Sequence, residues 1–263
     1  MSRTSNSKFS NSIYHYTKST TALEYILPSR RLKLNSISLT NDPREKKEFS
    51  FDVFNSPAKN IKEYLKQNSE LSRLIKKNVK VLCFSEDYKI NNKWYEGLNL
   101  PRMWSQYAEN HKGICLEIDK DLFIEENKES FKHWFGKSIN YGDSNNSPSI
   151  DYDKIEEEGI ESYIKSFQHK EMDFLFFRKF YDWEAEREYR IIHFSENTNN
   201  EFAKIEKSLK RIILGIDFNE IYLPTLIKLA NKTKISIISS EHGELQAFDY
   251  LQEYLDDVMK ISN

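Results

Sequence analysis

Seven glycines, six prolines and two cysteines are few for a chain of 263 residues, and each shortage excludes something. With so little glycine, no Gly-rich cradle precedes a helix, so any nucleotide must bind by a route other than a P-loop. The two cysteines, Cys83 and Cys115, stand far apart inside apolar runs, which excludes a disulfide framework and points to a reducing compartment. Cys115 is read as a buried thiol rather than a nucleophile paired with His111. Six scattered histidines show no HExxH pattern, and no paired-cysteine spacing occurs, so a dedicated metal site is not expected. Excess charge is missing too. Lys plus Arg number 39 against 41 for Asp plus Glu, a net of -2, so any contact with nucleic acid must be local. No run approaches the roughly 20 apolar residues of a membrane span, and the opening MSRTSNSKFSNS lacks the apolar stretch of a leader. A soluble, cytoplasmic protein is expected.

Aromatics are plentiful at 14% and supply a core. Residues 1–12 read as a flexible, polar start. SIYHYT then alternates as a strand, with Ile13, His15 and Thr17 on one face and Tyr14 and Tyr16 on the other. A helix follows, capped by Ser19 or Thr20, with Leu23, Ile26 and Leu27 as its apolar stripe and Pro28 near its end. The next strand is broken by Asn41-Asp42-Pro43, and the Lys-rich stretch after it is helical by period. VKVLCFS is almost continuously apolar and reads as a central strand ending at Ser85. PRMWSQYAENHKG reads as a short helix and turn leading to the strand GICLEI. Residues 131–150 read as a loop insertion, residues from about 154 to 180 as one helix, and EYRIIHF as a strand. From residue 209 a strand-helix-strand unit closes a single domain. The fold class predicted is α+β: a mixed, split β-sheet with flanking helices and a C-terminal strand-helix-strand extension.

Three groups of residues carry possible chemistry. Asp42 and Glu45, with Lys47, resemble the acids and amine of a metal-dependent nuclease, although they share one turn and helix capping by Asp42 explains them as well. In MWSQYAENHKG, Trp104 and Tyr107 sit at helical spacing and suit a core. Equally, Trp104, Tyr107 and His111 could line a cleft and stack on a base. The third group is DWEAEREYRII. Parity puts Glu188, Arg190 and Ile192 on one strand face and Arg187, Tyr189 and Ile191 on the other, with Glu186 just upstream. An ion-pair network closing the sheet is one explanation. A cleft shared with His15, Thr17 and Ser85, polar residues on other strands, is the alternative.

Two resemblances rest on these residues. His15, then Phe84-Ser85, then Glu186-Arg187-Glu188 resembles, in order, the pattern of ADP-ribosyltransferases, although Ser85 is followed by Glu86-Asp87 rather than Thr-Ser. That resemblance implies NAD as substrate, Glu188 stabilising an oxocarbenium ion and Glu186 serving the acceptor. His15, Thr17, Ser85 and Arg190, with Trp104, Tyr107 and His111, would hold the dinucleotide. The blocks YHYT…LEYIL…RLKLNSISLTNDPRE, VLCFSE, MWSQYAENHKGICLEID, DWEAEREYRII and LKRIILGID resemble, in order, the bacterial domain of unknown function 2971 family, whose members are associated with mobile elements and anti-phage defence. Its opening YHYTKSTTALEYIL is similar to that of DNA-targeting ADP-ribosyltransferase toxins. Together these imply an ADP-ribosyltransferase-like fold, a toxic effector acting on an intracellular nucleic acid or protein, and a defence-system partner protein. A non-catalytic sensor or interaction module is the remaining alternative.

Overall fold

Alternation, apolar runs and turn residues produce one large sheet in the computed structural model, which describes residues 11–49, 51–143, 147–197, 199–241 and 244–249. Its strands are β1 (Ser12–Thr17), β2 (Arg31–Ser36), β3 (Val79–Glu86), β4 (Ile114–Asp119) and β5 (Trp134–Ser138). They continue as β6 (Glu188–Phe194), β7 (Glu201–Lys204), β8 (Leu209–Leu214), β9 (Lys234–Glu241) and β10 (Glu244–Phe248). The main path runs β7-β2-β3-β1-β4-β8-β9-β10, and β6 joins β3 to β5. Among the described strands of the sheet only β8 and β9 are parallel neighbours, joined by the helix Leu223–Ala230. The fold is therefore α+β with a mixed, mostly antiparallel open sheet. No described helix is long and apolar enough to cross a membrane.

The apolar parity of each strand sorts the core into two layers. Ile13, Leu82, Phe84, Tyr189 and Ile191 face one cluster, under residues 19–29 and the helix Leu223–Ala230. Val79, Val81 and Ile192 face another, covered by the helices Ile61–Lys76 and Ile160–Lys170. A smaller cluster gathers Tyr14, Tyr16 and Trp104. Each fully buried Ile, Leu or Phe contributes about 1.5–3 kcal/mol, so face alternation along β1, β3 and β6 dictates their register against the core.

β3 is where the sheet opens. One of its edges pairs with β6 along its whole length, from Val79↔Phe194 to Ser85↔Glu188. Its other edge is handed from β2, at Lys80 and Val81, to β1, at Ser85 and Glu86. Between them, Leu82 to Phe84 have no strand partner on that side. The sheet is thus split at a defined place.

Several expected boundaries move. Within the loop insertion expected over 131–150, residues 134–138 are strand β5, which pairs with β6 from Trp134↔His193 to Ser138↔Tyr189. Aromatic packing fixes that edge, with Phe131 stacked on Trp134 at 5.7 Å, and Gly136 leaves room for the Tyr189 ring, whose hydroxyl a Cβ would meet at 2.3 Å. The helix expected over 154–180 is three shorter ones, Tyr152–Glu158, Ile160–Lys170 and Met172–Phe176, because Gly159 adopts a positive φ of 79° and the chain turns again at Glu171. Arg178–Lys179 is extended and pairs with Asn140–Tyr141. The first helical segment, 19–29, starts after Lys18 with no side-chain cap, since Ser19 is already helical and its hydroxyl donates to Glu109 at 2.9 Å. The C-terminal strand-helix-strand unit extends the main sheet, because β8 pairs with β4. Residues 1–10 of the expected flexible start, and 250–263, lie outside the described residues; Ser12 opens β1.

Candidate functional site

The split in the sheet holds a cavity of 190 Å³ whose lining includes His15, Val81 to Ser85, Tyr107, Lys179, Glu186, Glu188 and Arg190. β1 contributes His15, which is half-buried and spans the gap with Nδ1 at 3.2 Å from the Cys83 carbonyl oxygen. A carbonyl only accepts, so Nδ1 carries the proton and Nε2 is left as an acceptor. Burial lowers the pKa of His15, outweighing that hydrogen bond, so the ring is neutral at pH 7. Nε2 has no partner among the described residues. Edge-on contact with Phe84, centroids 5.8 Å apart, sets the ring plane.

β3 contributes Ser85, fully buried, whose Oγ donates to the Glu186 carbonyl at 2.8 Å. This bond anchors the turn before β6. There Arg187 takes a left-handed conformation, φ 47°, which lets Glu186 and Glu188 both face the cleft. Glu186 is 3% exposed; its Oε1 accepts from the Tyr107 hydroxyl at 2.6 Å and its Oε2 from Lys179 Nζ at 2.7 Å. Burial and the neighbouring Glu186 carboxylate push the Tyr107 phenol upward, so it stays a donor.

Glu188 is held more tightly. Its Oε1 lies 2.6 Å from Arg190 Nε and its Oε2 2.7 Å from Lys179 Nζ. Its backbone N–H donates to the Tyr141 hydroxyl at 2.8 Å. Arg190 is fully buried and its guanidinium also pairs with Glu45 and donates to the Phe176 carbonyl at 2.9 Å. The outcome is a chain of alternating charge, Glu45, Arg190, Glu188, Lys179, Glu186, ending on the neutral Tyr107. Three carboxylates meet two cations in it, and the surplus negative charge sits at the Glu186 end, where one oxygen has only a phenol.

Burial would raise the pKa of Glu188, but Arg190 and Lys179 outweigh it and hold the carboxyl at about 2, against an ordinary 4.5. The stability this ionised group contributes is complete above 4.5 and is lost as the pH falls towards 2, where the folded-state group protonates. Urea denaturation should therefore show a loss on the order of 2 kcal/mol from this residue between about pH 6 and about pH 3. Glu188→Gln should shrink that difference; an unchanged pH dependence would contradict the assignment.

Other expected residues lie elsewhere. Thr17 is buried at the end of β1, opposite Ile114, and does not line the cleft. Trp104 is fully buried, donates from Nε1 to the Leu98 carbonyl at 2.8 Å and packs edge-on against Tyr16, so it belongs to the core. His111 sits in a left-handed turn, φ 68°, that Gly215 approaches so closely that a Cβ would collide with the His111 carbonyl. It too is outside the cleft lining. Asp42 caps the helix Pro43–Lys46 through Arg44 N–H at 2.9 Å, and Glu45 in that first turn is taken up by Arg190. Among the described residues, no three His, Cys, Asp or Glu side chains converge as a metal-binding group.

Lys179 and Tyr141, which bind Glu186 and Glu188, are not among the residues expected from the sequence. Lys179 falls at the tail of the helix expected over 154–180; its signal is a lysine set among aromatics in FLFFRKFYDW, a poor place for an unpaired charge.

Residues 103–191 match DUF2971, a protein family of unknown function. The matched segment runs from the rim of the cleft at Met103 to β6 and carries Tyr107, Lys179, Glu186, Glu188 and Arg190. His15 and Ser85 precede it. No curated protein and no solved structure matches the chain.

Proposed function

We propose that the cleft binds the nicotinamide-ribose end of NAD and that the protein transfers ADP-ribose, on an ADP-ribosyltransferase-like fold, to an intracellular acceptor. One observation carries this reading: His15, Ser85, Glu186 and Glu188, from β1, β3 and the start of β6, line one cavity at the split between β1 and β3. A volume of 190 Å³ suits one ring and its sugar; whole cofactors fill about 300–1,000 Å³, so the rest of the dinucleotide lies outside. The pyridinium of NAD is cationic, and the surplus negative charge at Glu186 favours it.

In the reaction the bond from ribose C1′ to the nicotinamide nitrogen breaks, and its electron pair neutralises the pyridinium. Positive charge develops on the ribose, and a preorganised carboxylate stabilises it more than the ground state. Glu186 suits this role better than Glu188, whose oxygens are already committed to Arg190 and Lys179. The acceptor then bonds to C1′ and yields its proton to Glu186. Neutral His15 accepts a hydrogen bond from a ribose hydroxyl through Nε2, and Ser85 positions Glu186 through its main chain.

Nicotinamide release from NAD, followed with and without cell lysate as acceptor source, tests the proposal. His15→Asn keeps a donor for Cys83 but loses the Nε2 acceptor, and should cut turnover about tenfold or more. NAD left intact under every acceptor condition would sink it. A non-catalytic interaction module draws on the saturation of Glu188. That reading requires Glu186→Gln to change stability alone.

A further inference from the structure

On the far side of the segment 35–41 lies a second groove, 360 Å³, that the proposed reaction does not use. Ser36 and Ser38 line this groove while Asn35, Leu39, Thr40 and Asn41 line the cleft, so one short segment forms a wall of both. Its cations are Lys46, Lys47, Arg73, Lys76 and Lys77, facing the single acid Glu48. Lys46, Lys47, Arg73 and Lys77 are exposed, and none has an ion-pair partner among the described residues. This concentration stands out in a chain whose net charge is -2.

Lys76, on the groove floor, is 4% exposed, yet its ammonium meets only neutral groups. Nζ donates to the carbonyls of Lys47 at 2.9 Å and Arg44 at 3.3 Å, and lies 4.3 Å from the centre of the Phe49 ring. Burying a cation with no carboxylate in contact is costly, and burial lowers its pKa to about 8 although the nearby Glu45 and Glu48 offset part of that cost. An anion in the groove would offset that cost. Lys77 also lines an adjoining groove of 510 Å³, where Lys80 and Lys165 face the acids Glu161 and Glu196, the latter paired with Lys165 at 2.8 Å. Five cations against one acid in the 360 Å³ groove are still more positive charge than one phosphate or a dinucleotide's diphosphate requires.

We infer that this groove binds the phosphodiester backbone of a nucleic acid and lays it beside the cleft. That the bound strand is also the acceptor rests on the transferase reading; the binding itself does not. Lysine and arginine neutralising phosphates release counterions, so binding weakens with salt in proportion to the contacts made. Acidic peptides share the charge but not the spacing of a backbone, and form the competing outcome.

The test is fluorescence anisotropy of labelled mixed-sequence single-stranded DNA, RNA and duplex DNA with the full chain, without NAD, across a salt series. For about four contacts to a single strand, log K should fall with log salt at a slope of about -3. Lys47→Glu with Arg73→Glu, both exposed, should weaken binding about tenfold or more and shallow the slope by about 1.4. Lys207→Glu, in the separate basic stretch KIEKSLKR, should leave binding unchanged. Failure to bind at low salt, indifference to the double variant, an equal loss from Lys207→Glu, or equally effective competition by polyglutamate or pyrophosphate would each overturn the inference. Because NAD is absent, a negative result here leaves the transferase proposal standing, and the reverse also holds.

Discussion

Replacing Arg190 by methionine should destabilise the protein by about 3–5 kcal/mol, the largest effect expected of a single change. The guanidinium is fully buried and satisfies Glu45 and Glu188 together with the Phe176 carbonyl. Methionine fills similar volume but leaves Glu45 with no cation in direct contact and Glu188 with Lys179 alone. Two carboxylates in a dry interior must then protonate or drag water inwards, and either route is unfavourable. Urea denaturation should register the loss, with a fall in Tm of about 10 °C. The double change Glu45→Gln with Arg190→Met should recover part of it by removing one stranded charge. A single variant that melts like the wild type would show that the network contributes little to folding.

The second large effect concerns activity. Glu186→Gln should lower NAD turnover about a hundredfold while costing less stability than Arg190→Met. Gln can keep one oxygen for Lys179 or the Tyr107 hydroxyl but removes the surplus negative charge at that end of the chain. The loss should fall more on kcat than on KM, because the carboxylate acts chiefly on charge that develops on the ribose during bond breaking, while its attraction for the bound pyridinium adds a smaller rise in KM. Glu188→Gln is the informative comparison. Its carboxylate is already neutralised by two cations, so its effect should be led by lost stability. Reversed outcomes, with Glu188→Gln stable but inactive and Glu186→Gln active, would move the charge-stabilising role to Glu188.

Much of this was legible in the chain. Face parity in SIYHYT and EYRIIHF put Ile13 opposite Tyr14, and Glu188 with Arg190 opposite Tyr189, because a strand repeats every two residues whatever its partners. The capping role of Asp42 also followed from its place before Pro43. Failures came where local pattern and long-range pairing disagree. WFGKS carries a glycine beside short polar runs and resembles a loop, yet β6 supplies the partner that makes it a strand. Trp104 and Tyr107 sit three residues apart on one helix, and only packing sends the indole into the core and the phenol to Glu186.

By itself the sequence determined the strands SIYHYT, VKVLCFS, GICLEI and EYRIIHF and their apolar faces, and it put Glu188 and Arg190 on one face of the last of them. Tertiary structure decided their partners. Lys179 reaches Glu186 and Glu188 only because Arg178–Lys179 pairs with Asn140–Tyr141, and Glu45 meets Arg190 from 145 residues away. The cleft exists because β3 changes partners from β2 to β1. Charge pairing and strand exchange depend on distances across the fold, and local spacing carries no information about them.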